Sequence, residues 1–258
     1  MMSQLLRYAP VITLIQATRP RRILEVGCGS QGLGKFLSCR FVGVDQEFSD
    51  YTETQREMSL WMLPIQATGA QLPFESHSFD LVVLLDVLEH VPPQARSAVL
   101  VECDRVARHR IVIGFPCDAP ARDHDRKLRR WLEMRDLPVP GWLIEHLDYP
   151  LPTTEETLRV LSPSATRMSV EDNDWLPIHR LLMRWEAIGF RARYSAALSD
   201  LLAPTAWKWK GHRTITNLLR LGVRPAWKFL PLMQHQPGYR KLIVTEKTGA
   251  RLETHADW

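Results

Sequence analysis

The segment that decides the fold runs from Ile23 to Gly34 and reads ILEVGCGSQGLG. It begins with an apolar run and continues into closely spaced glycines, which is typical of a buried strand that enters a turn and then a helix. Glycines at such a turn let the backbone approach a ligand closely, and the free N–H groups of a helix N-terminus favour a negative group. The segment therefore predicts a ligand-binding turn after the first strand.

Other apolar runs follow along the chain and alternate with segments of helical pattern. Pro10 is expected to disturb the first helix, because proline cannot donate the helical hydrogen bond. The alternation indicates βαβ units, so we predict an α/β fold with a mostly parallel sheet. Further strands are predicted at 41–45, 79–85, 110–115, 190–197 and 239–246, and helices at 3–18, 52–62, 94–107 and 180–189, the last ending at a glycine.

The composition limits the class of protein. Hydrophobic residues make up 45% of the 258 residues and charged residues 24%, which is typical of a folded globular chain. No apolar stretch approaches the ~18 residues of a membrane span, and the first residues lack a signal-peptide cleavage site. The four cysteines form no CxxC pair, so we expect free thiols, no metal site and a cytoplasmic location.

The positive charge is concentrated in residues 201–245, which contain eight basic residues and no acidic residue. Three tryptophans, Trp207, Trp209 and Trp227, lie among them. Such a segment is consistent with an anionic substrate, a membrane surface or RNA, and equally with an ordinary solvated face. We favour a phosphate-bearing molecule or peripheral membrane contact, and nucleic acid is not expected because no RNA-binding motif accompanies the segment.

Two cofactor classes fit the glycine turn. The spacing Gly27-x-Gly29-x-x-Gly32, followed 18 residues after Gly27 by Asp45, satisfies the dinucleotide fingerprint. A dinucleotide, however, brings a pyrophosphate, which is disfavoured near a carboxylate, and Glu25 lies two residues before Gly27. An acid there suits a ligand with an ammonium or sulfonium group, which favours S-adenosylmethionine on electrostatic grounds.

Five motifs carry a resemblance to a known family. They are ILEVGCG at 23–29, FVGVD at 41–45, LPFESHSFDLVVLLDVLEHV at 72–91, RIVIGFP at 110–116 and WEAIGF at 185–190. With these motifs the chain resembles the class I S-adenosylmethionine-dependent methyltransferases. Within them it is similar to the group with an LPF…SFD…LEHV pattern, which methylates small molecules, quinones, lipids and sugars. The resemblance implies a Rossmann-like, seven-stranded sheet with helices on both faces, and S-adenosyl-L-methionine as the cofactor.

The resemblance also implies the residues that hold this cofactor. Glu25, Gly27, Cys28 and Gly29 would line its methionine end, and Asp45 would bind the two ribose hydroxyls. The other positions are Gln46, Thr68, Gly69, Ala70 and Leu72 toward the adenine, and Asp86 and Val87 beside the methionine moiety and the reacting centre.

Two positions depart from the family pattern. Gln31 stands where the third glycine of the family usually lies, and Gly32 follows one place later. Thr68 stands where the family often has an acid that accepts from the adenine amino group. A non-catalytic protein that keeps the fold therefore remains an alternative, beside an NAD(P)-dependent oxidoreductase.

Histidines are the candidate catalytic groups, because an acceptor hydroxyl must lose a proton when it is methylated. His90 follows Glu89 in the LEHV motif, His124 lies between two aspartates, and His146 follows Glu145. A carboxylate neighbour would orient a histidine ring and raise its pKa. Each of the three also has a plain interpretation as a side chain that orients a loop or faces solvent.

The domain organisation follows from the motifs. We read one domain with an N-terminal helical segment at 1–19, a cofactor-binding half at 20–117, an inserted substrate lid at 118–177 and a C-terminal half at 178–258 with a basic, Trp-rich insertion at 201–238. Thr153-x-x-Glu156 predicts a capping box inside the lid. The predicted function is O-methylation of a small-molecule, glycan or lipid-linked acceptor.

Overall fold

The computed structural model describes residues 2–48, 58–194 and 238–248. These residues form a seven-stranded sheet with the order β3-β2-β1-β4-β5-β7-β6, in which β7 runs antiparallel to its neighbours β5 and β6 and the other pairs are parallel. The strands are β1 Ile23–Val26, β2 Phe41–Asp45, β3 Met62–Gln66, β4 Phe79–Leu85, β5 Ala107–Pro116, β6 Arg167–Trp175 and β7 Gly238–Glu246.

Helices cover both faces of the sheet. One face packs against α1, where Ile12 joins Ile23 and Val83 in a buried cluster. The other face packs against α2 and α5, where Leu24 and Leu100 share a second cluster. Burial on both faces explains the unbroken apolar sequences of β1, β4 and β5. The helices are α1 Met2–Thr18, α2 Pro93–Val106, α3 Asp118–Glu133, α4 Gly141–Asp148, α5 Thr154–Leu161 and α6 Leu176–Tyr194.

The first half of the chain follows the sequence prediction closely. The strands at 41–45 and 79–85 and the helix at 94–107 are confirmed to within one residue. The first helix is also confirmed, but Pro10 does not divide it: α1 is one helix. Its burial against the sheet through Tyr8, Val11 and Ile15 stabilises the helix beyond what the missing hydrogen bond removes.

The prediction was wrong in the second half, where a helix ending at Gly189 and a strand at 190–197 were expected. Instead, α6 continues through that glycine to Tyr194, and residues 195–197 lie outside the described residues. The strand of this part of the sheet is β6, inside the segment that we predicted as a lid. Most of β6 is exposed, so its sequence lacks the apolar alternation that would have revealed it.

The edge strand β3 was also missed. The helix predicted at 52–62 falls largely on residues 49–57, which lie outside the described residues, and Met62 begins a strand instead. Pro64 is compatible with this edge position because no further strand needs its N–H. Among the described helices, none combines the length and the apolar character needed to cross a membrane.

Candidate active site

A cavity of about 680 Å³ opens at the carboxyl ends of β1, β2 and β4, where open parallel sheets commonly bind ligands. Its wall is formed mainly by α1, the glycine turn, the end of β2, the end of β4 and the end of α4, with the loop after β3 and one residue of α2 completing it. The lining includes Arg7, Tyr8, Gly27, Cys28, Gly29, Asp45, Gln46, Gly69, Asp86, Val87, His90, Glu145 and Tyr149.

The glycine turn owes its shape to left-handed backbone at Gly27, Gly29 and Gly32, with φ of 74°, 57° and 45°. A Cβ at Gly27 would lie 2.2 Å from the Cγ2 of Val87, which follows β4. The turn therefore packs directly against the β4 end of the cavity. The predicted helix after the turn is a single 3-10 turn at Gly32–Lys35, because few residues separate it from β2.

Glu25 lies behind the turn, not in the cavity wall. It is buried, and its two carboxylate oxygens accept hydrogen bonds from the Tyr8 hydroxyl and from the Leu33 N–H, both at 2.7 Å. Burial raises the pKa of Glu25 to about 7, although these two hydrogen bonds oppose the rise. Through these two hydrogen bonds the carboxyl group links α1 to the glycine turn.

Asp45 and Gln46 lie at the opposite end of the cavity from β4. The Oδ2 atom of Asp45 accepts a hydrogen bond from the Gly29 N–H at 2.8 Å, and Oδ1 receives a long one of 3.5 Å from the Glu47 N–H. The weakly bonded Oδ1 is suited to accept from a ligand hydroxyl. Gly69 joins this part of the wall.

Three of the residues predicted on the adenine side, Thr68, Ala70 and Leu72, lie outside the cavity wall. Thr68 is exposed, and its Oγ1 accepts from the Ala70 N–H at 3.3 Å, so it stabilises the turn after β3. Leu72 is buried in the core, and its N–H donates to Glu102 at 2.8 Å. These residues shape the loop that carries Gly69 to the cavity.

Asp86 directly follows β4 and lines the cavity between two arginines. Its carboxylate accepts from Arg7 at 2.6 Å and, through both oxygens, from Arg240 at 2.7 Å. Arg240 also binds Asp174, whose other contact is His179 Nδ1 at 2.6 Å. Two carboxylates, those of Asp86 and Asp174, thus face two guanidinium groups, those of Arg7 and Arg240, and the buried charges balance. These contacts join α1, β6 and β7 to the end of β4 at the cavity.

His90 is the one candidate histidine that lines the cavity among the described residues. It belongs to the 3-10 turn Leu88–His90 that follows Asp86, and its Nδ1 contacts the Glu145 carboxylate of α4 at 2.5 Å. Burial and the nearby His146 lower the pKa of His90, against the opposing effect of Glu145. Helix α4 thus reaches the end of the cavity that His90 lines.

His124 and His146 are buried together beneath the cavity wall around Asp125 of α3. Asp125 accepts from His146 at 3.1 Å, from the Tyr239 hydroxyl at 2.8 Å and contacts His124 at 3.2 Å. Burial alone would raise the pKa of Asp125, but the bonds from the histidines and Tyr239 hold it at about 2.

Sequence reasoning missed several residues of this site. Arg7, Arg240 and Asp125 were passed over, although each interrupts an otherwise apolar helix or strand face, which is a signal of a buried charge pair. Glu89 was treated only as the neighbour of His90. It is fully buried and lies 3.8 Å from His146 Nε2, so these two residues and His90 converge from two distant segments.

The cavity wall fits S-adenosylmethionine. The glycines of the turn admit close backbone approach, and the Asp45 carboxylate, held beside the turn by the Gly29 N–H, could accept from ribose hydroxyls. The balanced charges at Asp86 avoid an excess of positive charge that would repel a sulfonium group.

Comparisons with known proteins agree with this fold. Residues 24–112 match the family model described as a methyltransferase domain. The chain is 22% identical to the chloroplastic tocopherol O-methyltransferase of Arabidopsis thaliana over 262 residues, which cover 95% of this chain and 66% of that protein. The chain thus spans just under two thirds of that relative's length.

Solved structures show the same architecture. A protein described as a methyltransferase of an antibiotic biosynthesis pathway in Anabaena variabilis superposes with a TM-score of 0.54 at 14% identity, covering 95% of this chain and 99% of that one. Phosphoethanolamine N-methyltransferase 2 of Haemonchus contortus gives 0.51 at 12% identity over 92% of this chain and 52% of that one. With the domain match over residues 24–112 and the strand order in agreement, the chain has the fold of the class I S-adenosylmethionine-dependent methyltransferases.

Proposed function

We propose that this methyltransferase transfers its methyl group to a hydroxyl oxygen of a small-molecule, glycan or lipid-linked acceptor. The observation that carries the proposal is the continuity of the cavity, which runs from Asp45 past the glycine turn to an end lined by His90, Glu145 and Tyr149. A cofactor whose ribose meets Asp45 would direct its methyl group toward that second end.

The acceptor end offers groups suited to a hydroxyl-bearing molecule. Tyr149 follows α4 and presents an aromatic ring with a polar tip, and His90 and Glu145 present an imidazole and a carboxylate. S-adenosylmethionine supplies, when bound, a methyl group already activated by its positively charged sulfur. This chain's residues are therefore needed to position the acceptor oxygen in line and to assist loss of its proton.

The relatives support a small acceptor, and of the two only the Arabidopsis protein is named for transfer to oxygen. The Arabidopsis relative is an O-methyltransferase by its name, and its named substrate, tocopherol, is a lipid with a hydroxyl group. The Haemonchus structure holds phosphomonomethylethanolamine, which bears a phosphate. Both fit a partner that is small and either lipid-like or phosphate-bearing.

We also propose that α3, α4 and the loop between them act as a lid over the acceptor. Helix α4 borders the cavity through Glu145, and it packs against the 3-10 turn that carries His90. A lid in this position would exclude water from the methyl group during transfer. The remainder of the predicted lid, with α5 and β6, packs on the core and joins the sheet.

The basic segment 201–245 is proposed to draw the acceptor or a membrane surface toward the protein, which we place in the cytoplasm. Most of this segment lies outside the described residues, so the support is its sequence: three tryptophans, no acid and six bases before β7. The other two bases, Arg240 and Lys241, are paired with aspartates in the sheet and add nothing to this attraction. Flotation with anionic and neutral vesicles at two salt concentrations tests it. Binding to anionic vesicles that weakens with salt is expected, and no vesicle binding by the wild type contradicts it.

The methyl acceptor is tested with labelled S-adenosylmethionine and a matched panel of phenols, sugars, lipid-linked alcohols and the corresponding amines. We expect label in hydroxyl compounds, located on oxygen by mass spectrometry. Label in the amines alone would overturn the proposed acceptor atom. Calorimetry with S-adenosylhomocysteine is the control, because it shows that the cofactor end is intact whichever acceptor is used.

A further inference from the structure

Two imidazoles and one carboxylate converge beside the acceptor end of the cavity. Glu89 and His90 are consecutive in the 3-10 turn after β4, and His146 comes from α4. One donor atom from each residue lies within 4.8 Å of the others. Two histidines with one glutamate form a donor set that holds zinc and related divalent metals in proteins while leaving coordination positions open.

The carboxylate of Glu89 has no hydrogen-bond partner among the described residues. Its side chain is 0% exposed, both oxygens are buried, and His146 Nε2 lies 3.8 Å from Oε1. A buried carboxylate without a partner is costly, and native proteins compensate such groups with hydrogen bonds or a metal ion. One of these oxygens lies within 4.8 Å of a ring nitrogen of each histidine, so a cation between them could bind it.

Each imidazole is oriented by a further carboxylate. His146 Nδ1 lies 3.1 Å from Asp125, and His90 Nδ1 lies 2.5 Å from Glu145. When Nδ1 carries the proton and donates it to a carboxylate, Nε2 keeps its lone pair for a metal. Asp125 is itself held by the Tyr239 hydroxyl at 2.8 Å, so α3 and β7 together orient the His146 ring.

We propose that Glu89, His90 and His146 bind a divalent transition-metal cation of the zinc type, and that its open positions face the cavity beside His90. The role of this cation rests on the proposed function: it would hold the acceptor oxygen and lower the pKa of its hydroxyl, whose proton passes to water. The site itself does not depend on that role, because it is assigned from donor atoms alone.

The experiment uses the metal-free full chain and Co²⁺ as a spectroscopic substitute for Zn²⁺. We expect one Co²⁺ to bind per chain with the visible absorption of a low-symmetry nitrogen and oxygen site, and excess Zn²⁺ to displace it. Glu89→Gln and His146→Ala should weaken binding by more than about 100-fold. Asp125→Asn, which loses only the orienting carboxylate, should weaken it by about 10- to 100-fold.

His77→Gln is the matched control, because His77 lies outside the cavity and its ring contacts the Ala107 carbonyl instead. It should bind Co²⁺ like the wild type. S-adenosylhomocysteine calorimetry on every variant shows that the fold is kept. Glu89→Gln is the more conservative variant if His146→Ala does not fold, since it keeps the side-chain shape and removes a buried charge.

Two results would overturn the site. The first is Co²⁺ binding by the wild type that Glu89→Gln leaves unchanged, and the second is a thiolate absorption band, which would place the metal on a cysteine. A wrong acceptor assignment would give another result. The variants would weaken Co²⁺ binding as expected, but the hydroxyl compounds of the panel would remain unlabelled.

Discussion

Asp86 illustrates how single residues of this cavity are stabilised by distant partners. Its backbone is left-handed, with φ of 51°, which aspartate tolerates better than most residues. Burial alone would raise the pKa of Asp86, but the guanidinium groups of Arg240 and Arg7 outweigh burial and hold that pKa well below its usual range. The carboxylate is therefore charged and holds two buried cations.

Asp86→Asn is expected to reduce the free energy of unfolding by about 3–5 kcal/mol, because it removes the anion that binds the Arg7 guanidinium and leaves Arg240 with Asp174 alone. Urea unfolding at neutral pH measures the loss. Asp123→Asn is the matched control: its pair with Lys127 is exposed, so stability should hardly change. Equal effects from both substitutions would show that the buried pairs are not the source of stability.

Glu25 should make the stability of the protein depend on pH in an unusual direction. Its folded pKa of about 7 is above the ordinary 4.5, so between these values the folded state holds a proton that the unfolded state releases. The contribution of this carboxyl group to the free energy of unfolding is therefore largest below pH 4.5. It decreases as the pH rises toward 7, by up to about 3 kcal/mol.

The measurement compares wild type with Glu25→Gln, which cannot titrate, in urea at several pH values. The difference in unfolding free energy, wild type minus variant, should become less favourable between pH 4.5 and 7. Other titrating groups, such as Asp86, contribute to both proteins and cancel. A difference that stays constant or rises with pH would contradict the assigned pKa.

At the scale of elements, the glycine turn and α4 meet the end of β4 from opposite sides. The turn approaches Val87 so closely that a methyl group has no space, whereas α4 approaches through polar contacts at His90. Helix α5 begins as the sequence predicts, with Thr153 Oγ1 accepting from the Glu156 N–H at 3.2 Å. Local capping thus fixes where the helices start, and packing fixes where they lie.

Gly27→Ala should destabilise the protein by about 1–3 kcal/mol and weaken S-adenosylhomocysteine binding by at least about tenfold. The new Cβ would clash with Val87 at 2.2 Å, and the backbone φ of 74° would be strained. Calorimetry and urea unfolding measure the two effects. Gly141→Ala, at the start of α4 with nothing within 4 Å of its Cβ, should be neutral or slightly stabilising.

At the scale of the whole molecule, the cavity is built from segments that are far apart in sequence. Residues from α1, the glycine turn, β2, β4 and α4 line it, and β7 reaches it through Arg240. A ligand that fills the cavity contacts the folded arrangement and not the unfolded chain. Its binding free energy therefore adds to the stability of the entire domain.

S-adenosylhomocysteine at about 100 times its Kd should raise the unfolding free energy by about 2.7 kcal/mol. At the same concentration Asp45→Ala should show a much smaller gain, because losing hydrogen bonds to a charged group costs about 1.5–3 kcal/mol of binding. Thermal unfolding with and without ligand measures both. An unchanged response in Asp45→Ala would remove that carboxylate from the ribose site, and NADH serves as the negative ligand.

The sequence by itself determined the parts of the molecule that local patterns encode. Apolar runs located β1, β4 and β5, glycine spacing located the turn, and the acid that ends β2 placed Asp45 at the cavity. These features depend on neighbouring residues, because burial and backbone conformation act over a few positions.

Only the tertiary structure decided which charged and polar side chains bind one another. Arg7 and Arg240 meet Asp86 across 79 and 154 residues, and His146 reaches Glu89 from an inserted helix. It also made Arg167–Trp175 a strand, since the exposed edge of the sheet offered hydrogen bonds that no local apolar pattern announced. Such contacts depend on the order of the strands and on the path that the chain takes between β5 and β7. A local sequence pattern cannot indicate these contacts, because the groups that stabilise them become adjacent only after folding.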